Sequence, residues 1–146
     1  MTFVYFDASA LVKLVVDEQG SELAAALWDG CDAALTSRLA YPEVCAALAA
    51  ACRNHQLSTT QHELARTNWE RFWNATRPIE LTVDVAHLAG VLARDHALRG
   101  SDAVHLASAL ALEVDDLVIA VWDRRLHDGA MAVGMGVAPS MLEGSG

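Results

Sequence analysis

The chain has 146 residues, 53% of them hydrophobic, enough for one domain around a single core and too few for two. Against 19 acidic residues stand 10 basic ones, and the formal charge of −9 argues against a protein that grips nucleic acid through a broad basic face. No apolar run reaches the roughly 18 to 20 residues that span a bilayer. The start MTFVYFDASALVKLVVDE has neither a basic head nor a cleavage site, so the expected place is the cytoplasm, with no membrane partner.

In chain order, Phe3 to Phe6 reads as a short strand that stops at Asp7, and SALVKLVV after it repeats with helical spacing. A second helix is predicted over Ser21 to Trp28, with Gly30 ending it, and a strand over Ala33 to Thr36. The Ala-rich stretch to Arg53 is helical, with Pro42 tolerated in its first turn and Glu43 close behind. Ser58 to Thr60 offers N-caps for a helix to about Ala75. Arg77-Pro78 then breaks it before a strand over Ile79 to Val83, and Asp84 caps the next helix. Ser101-Asp102 opens the helix AVHLASALALE, the apolar run Leu117 to Val121 makes a strand, and Asp123 precedes the short helix RRLHDG. A weak last strand is expected around Met131 to Val137. Residues 1–140 thus form one domain and 141–146 a C-terminal tail. Strands alternating with helices predict an α/β fold, a mainly parallel sheet covered on both faces. The three cysteines, Cys31, Cys45 and Cys52, form no C-x-x-C pair and read as reduced, mostly buried thiols.

Such a sheet gathers strand ends and the starts of the next helices along one carboxyl edge. Asp7, Glu43, Asp102 and Asp123 all map to that edge, and with strand order 3-2-1-4-5 they converge near its middle. Asp84 comes after the outer third strand and is left out. An aspartate before a helix is also an ordinary N-cap contributing about 1 kcal/mol, and Glu43 can simply favour its helix dipole. Clustered carboxylates repel unless protonated or bridged by a cation, and all-oxygen ligands suit Mg²⁺ or Mn²⁺ better than zinc.

The blocks D7-A-S-A-L-V-K-L14, P42-E43, R99-G-S-D102-A-V-H105-L-A and W122-D123-R-R-L126 resemble, in order, the signature of PIN domains, and look especially like VapC toxins of toxin–antitoxin pairs. The resemblance implies a three-layer α/β/α nuclease whose acidic residues bind Mg²⁺ or Mn²⁺ and activate water to cleave RNA. It makes Asp7, Glu43, Asp102 and Asp123 the catalytic and metal-binding set, with Ser9 as the polar residue that orders it. It further implies a VapB-like antitoxin, an RNA substrate and a homodimer. One departure is Val121, where the family often has threonine or serine two residues before the last aspartate.

His105, one turn after Asp102, can approach substrate or serve as a hydrogen-bonded structural histidine; Arg99, Arg124 and Arg125 can contact phosphate or form a solvated edge. The bulky stripe Leu64, Ala65, Trp69, Phe72 and Trp73 fits either core or a partner's dock. Two other readings stand beside the nuclease. One is an inactive PIN-like interaction module, which Val121 permits. The other is an aspartate-dependent phosphatase, whose usual second aspartate is here Ser9.

Overall fold

The computed structural model describes residues 1–143; positions 144–146 of the expected tail lie outside the described residues. Five strands form one sheet in the order β3-β2-β1-β4-β5, every neighbouring pair parallel. They are β1 (Phe3–Phe6), β2 (Ala33–Ser37), β3 (Arg77–Ile79), β4 (Val118–Ala120) and β5 (Gly136–Ala138). Among the described residues seven helices connect them: α1 (Ala8–Val15), α2 (Ser21–Gly30), α3 (Ala40–Arg53), α4 (Thr59–Ala75), α5 (Val83–His96), α6 (Gly100–Ala111) and α7 (Arg124–Ala132).

The period of two along a strand sorts the core into two halves. Tyr5, Leu35, Ile119 and Val121 face the layer of α5, α6 and α7, with Leu92, Leu106 and Leu126. Val4, Phe6, Ala34 and Ala120 face the layer of α1 to α4, where Leu11, Val44, Leu48 and Trp69 close over them. Burial on both faces explains why the central strands read as unbroken apolar runs. Among the described residues no helix is long and apolar enough to cross a membrane.

Several boundaries differ from expectation, each for a physical reason. Strand β3 lies at Arg77–Ile79 and contains Pro78 instead of starting after it. It is an edge strand paired only with β2, where a missing N–H is tolerated. The early end of β3 lets Thr82, not Asp84, cap α5, its side chain accepting from Val85 N at 3.2 Å. Helix α7 runs on to Ala132, so the last strand is confined to Gly136–Ala138. Helix α6 begins at Gly100 with Arg99 at its N-cap, which puts Asp102 inside the first turn. The cysteines are free and half-buried, more accessible than expected. Of the tail, Glu143 is tied to the domain by Gln19 Nε2 at 2.6 Å.

Candidate active site

The observed order sets β2 and β4 beside β1, so the carboxyl ends of all three central strands open onto one edge. Asp7, directly after β1, is 4% exposed. Its Oδ1 accepts from Ser9 Oγ at 2.6 Å and from Ala10 N at 2.9 Å, capping α1. Both bonds fall on Oδ1, leaving Oδ2 without a hydrogen-bond partner among the described residues. Desolvation pushes the Asp7 pKa up to about 6, although His105, Ser9 and the Ala10 amide pull it down; the Asp123 charge adds to the rise. Ser9 works in both directions, because its hydroxyl also accepts from Trp122 N at 3.1 Å. It thereby ties the end of β1 to the segment leading into α7.

Asp102 is 7% exposed and, being inside α6, does not cap the helix. Its Oδ2 accepts from Arg99 Nε at 2.9 Å. The same guanidinium reaches Asp123 Oδ2 through Nη2, also at 2.9 Å, and Asp123 Oδ1 caps α7 by accepting from Leu126 N at 3.1 Å. Arg99 therefore clasps two of the four expected carboxylates. Glu43, in the first turn of α3, has Oε1 2.6 Å from His105 Nε2. The other ring nitrogen of His105 lies 2.8 Å from Tyr5 Oη. Burial drives the Tyr5 phenol well above its ordinary pKa. Tyr5 is the site residue that sequence reading misses, since a tyrosine inside an apolar strand carries no signal beyond core.

All four expected acidic residues stand at this edge, with Ser9, Arg99 and His105 among them. Arg124 instead donates to Glu143 O at 3.3 Å, and Arg125 is exposed on α7. Val121 is fully buried on the α5–α7 side of the sheet, so the departure at that position fills core volume and leaves no hydroxyl to satisfy. Of the stripe on α4, Ala65 and Trp69 are core, Phe72 and Trp73 are half-buried, and Leu64 is exposed.

Among the described residues no three acidic, histidine or cysteine side chains are gathered as a ready metal cage. The donor chemistry nonetheless fits a hard divalent cation. Asp7 is a desolvated carboxylate with one oxygen free and no cationic side chain bonded to it, and the neighbouring acids offer only oxygen. Asp102 Oδ1 has no hydrogen-bond partner among the described residues, whereas the Oδ2 atoms of Asp102 and Asp123 both accept from Arg99.

The PIN domain family model matches residues 4–129, an interval that contains every one of these side chains. The chain belongs to the PIN-domain family. Within it the likeness is to the VapC type. The chain is 66% identical over 143 residues to the ribonucleases VapC45 and VapC49 of Mycobacterium tuberculosis, covering 98% of this chain and 99% of each relative. A third relative from that organism, ribonuclease VapC46, is 36% identical over 96% of this chain and the whole of its own length. Among solved structures, VapC20 of Mycobacterium tuberculosis, a sarcin-ricin loop cleaving toxin, superposes with a TM-score of 0.66 at 16% identity, covering 96% of this chain and 99% of that one. A toxin–antitoxin complex from Klebsiella pneumoniae superposes with a TM-score of 0.65 at 18% identity over the same shares. At such identities these structures speak for the PIN fold alone.

Proposed function

We propose that this chain is a VapC-type endoribonuclease, the toxin of a toxin–antitoxin pair, which hydrolyses RNA phosphodiesters at its acidic edge. The observation that carries the reading is Asp7. It is a carboxylate held almost out of water at the end of the central strand, on the sheet edge that also carries Glu43, Asp102 and Asp123, in a chain 66% identical to two named ribonucleases. Keeping a charge there opposes stability and is the arrangement expected where a cation is to be bound.

Asp7 and Asp102 are the principal ligands for Mg²⁺ or Mn²⁺, with Glu43 and Asp123 completing the set. When bound, the ion supplies water activation and neutralises phosphate charge, so no Ser, Cys or His nucleophile is needed. Ser9 fixes Asp7 by its Oδ1, and Arg99, once displaced, is placed to meet a phosphate oxygen. The partner is a VapB-like antitoxin that docks on apolar surface and brings an arginine to the acids. Exposed Leu64, Leu81, Val83 and Met131 supply apolar surface for that partner and for a homodimer.

The test is cleavage of RNA by purified protein in Mn²⁺. Wild type cleaves, excess chelator stops it, Mg²⁺ or Mn²⁺ restores it, and folded Asp7→Asn does not cleave. Cleavage that persists in chelator, or an Asp7→Asn variant as fast as wild type, overturns the reading. The Arg99 clasp favours a second reading, an interaction module without catalysis, because one guanidinium bridges Asp102 and Asp123 and offsets half of their charge. A folded wild-type protein that binds its antitoxin yet leaves RNA intact in Mn²⁺ selects that alternative.

A further inference from the structure

Behind Glu43 the acidic edge is backed by a polar chain that runs into the core. Tyr5 Oη and His105 Nδ1 are 2.8 Å apart, and His105 Nε2 and Glu43 Oε1 2.6 Å apart. Tyr5 is 0% and His105 2% exposed, their rings meeting edge to face with centroids 5.8 Å apart. The three residues come from β1, α6 and α3, so the chain joins three elements at the functional edge. Two polar side chains in an apolar core are unfavourable unless fully bonded, and here both ring nitrogens have partners.

The chemistry of the bonds sets a direction. A carboxylate oxygen only accepts, so His105 Nε2 donates to Glu43 Oε1. The Tyr5 hydroxyl pairs with the other ring nitrogen, Nδ1. Glu43 is a long side chain, 27% exposed, that without the bond from Nε2 would turn freely in solvent. Held by that N–H, it keeps one fixed orientation. The second oxygen, Oε2, has no hydrogen-bond partner among the described residues.

We propose that Tyr5 and His105 are positioning residues, which hold Glu43 by Oε1 so that its carboxylate is set for the cation. This rests on the ribonuclease reading above. Helix α6 carries Asp102 and His105 three residues apart, so one element places one acid directly and a second through its imidazole.

The experiment combines Mn²⁺ titration by calorimetry with steady-state RNA cleavage for wild type, His105→Ala, His105→Gln, Tyr5→Phe, Glu43→Gln and the His105→Ala/Glu43→Gln double variant. His105→Ala should weaken Mn²⁺ binding and lower kcat by about 10- to 100-fold, the range for groups that orient metal ligands, with KM changed by less than about twofold. His105→Gln, whose amide N–H can reach the same carboxylate, should regain most of the loss. In the Glu43→Gln background, His105→Ala should add less than about twofold. Wild-type Mn²⁺ affinity and kcat in folded His105→Ala overturn the proposal, and so does a loss of undiminished size in the Glu43→Gln background. If His105→Ala does not fold, Tyr5→Phe decides: weaker Mn²⁺ binding with lower kcat supports the proposal, and unchanged values overturn it. Should wild type leave RNA intact, the ribonuclease reading falls and the Mn²⁺ titration alone judges the positioning. Weaker binding in His105→Ala supports it, whereas equal binding, or no Mn²⁺ binding by wild type, overturns it.

Discussion

Asp7 ionises against the loss of surrounding water, and the direction of its shift has two measurable results. Its pKa rises from 3.8 to about 6 on folding. Below the lower value both folded and unfolded chains hold the proton, and above the upper value neither does. Between them the native state binds the proton more tightly, so the Asp7 contribution to stability falls as pH rises from 3.8 to about 6 and stays lost above. Asparagine keeps the Oδ1 cap on α1 and removes the charge. Metal-free Asp7→Asn should therefore be more stable than wild type at neutral pH, by roughly 2 to 3 kcal/mol at most, with the difference vanishing below about pH 4. Denaturant melts across that range check this, and a variant less stable than wild type at neutral pH contradicts it. Cleavage should fall roughly 100-fold or more in the same variant, since an ion binding there contributes several kcal/mol to the transition state. Mn²⁺ affinity should weaken as pH drops through about 6, because proton and cation compete for one carboxylate.

Among the elements, α4 shows how sequence and structure divide the information. Its start was legible: Ser58 and Gln61 form a reciprocal capping box, with Gln61 N donating to Ser58 Oγ at 3.1 Å and Ser58 N to Gln61 Oε1 at 2.8 Å. Ser58→Ala should lower stability by about 1 kcal/mol, read as a shift in denaturant midpoint at constant slope. The side of the stripe facing inward was not legible, because helical spacing says that residues share a face and not what covers it. Trp69 proves to be 1% exposed, so Trp69→Ala should destabilise by roughly 3 to 5 kcal/mol, and any loss of antitoxin binding would result from unfolding. Leu64, 62% exposed, is the cleaner probe of a dock: Leu64→Ala should leave stability within about 0.5 kcal/mol. The α/β alternation could be read because apolar runs and strand-end aspartates are local signals, and the strand order 3-2-1-4-5, the common one for such sheets, is the order observed. The bounds of β3 were missed because Pro78 reads locally as a breaker, although the expected order already put this strand at a sheet edge, where a proline is tolerated. Tyr5 and the reach of Arg99 to Asp123 were hidden because those partners lie on other elements.

At the scale of the whole molecule the charge of −9 constrains how RNA is met. With so few cations to displace counterions, the KM for RNA should change by less than about tenfold between 50 and 200 mM salt, where a protein making 6 to 10 phosphate contacts loses roughly 10³ to 10⁵ in affinity. A steep salt dependence would point to a basic surface formed only in a dimer. The same acidity suits an inhibitor that arrives with arginine. Replacing that arginine should restore cleavage more than it weakens the complex, as measured by parallel binding and activity assays. The bond from Ser9 to the Trp122 amide carries one more meaning. It joins positions 113 residues apart, and β4 pairs with β1 across nearly the same interval. During translation the ribosome therefore releases Asp7 and Glu43 long before Asp123 exists to meet them. A chain that stops short of β4 and Asp123 lacks one of the four acids and the strand whose pairing with β1 sets it at the edge.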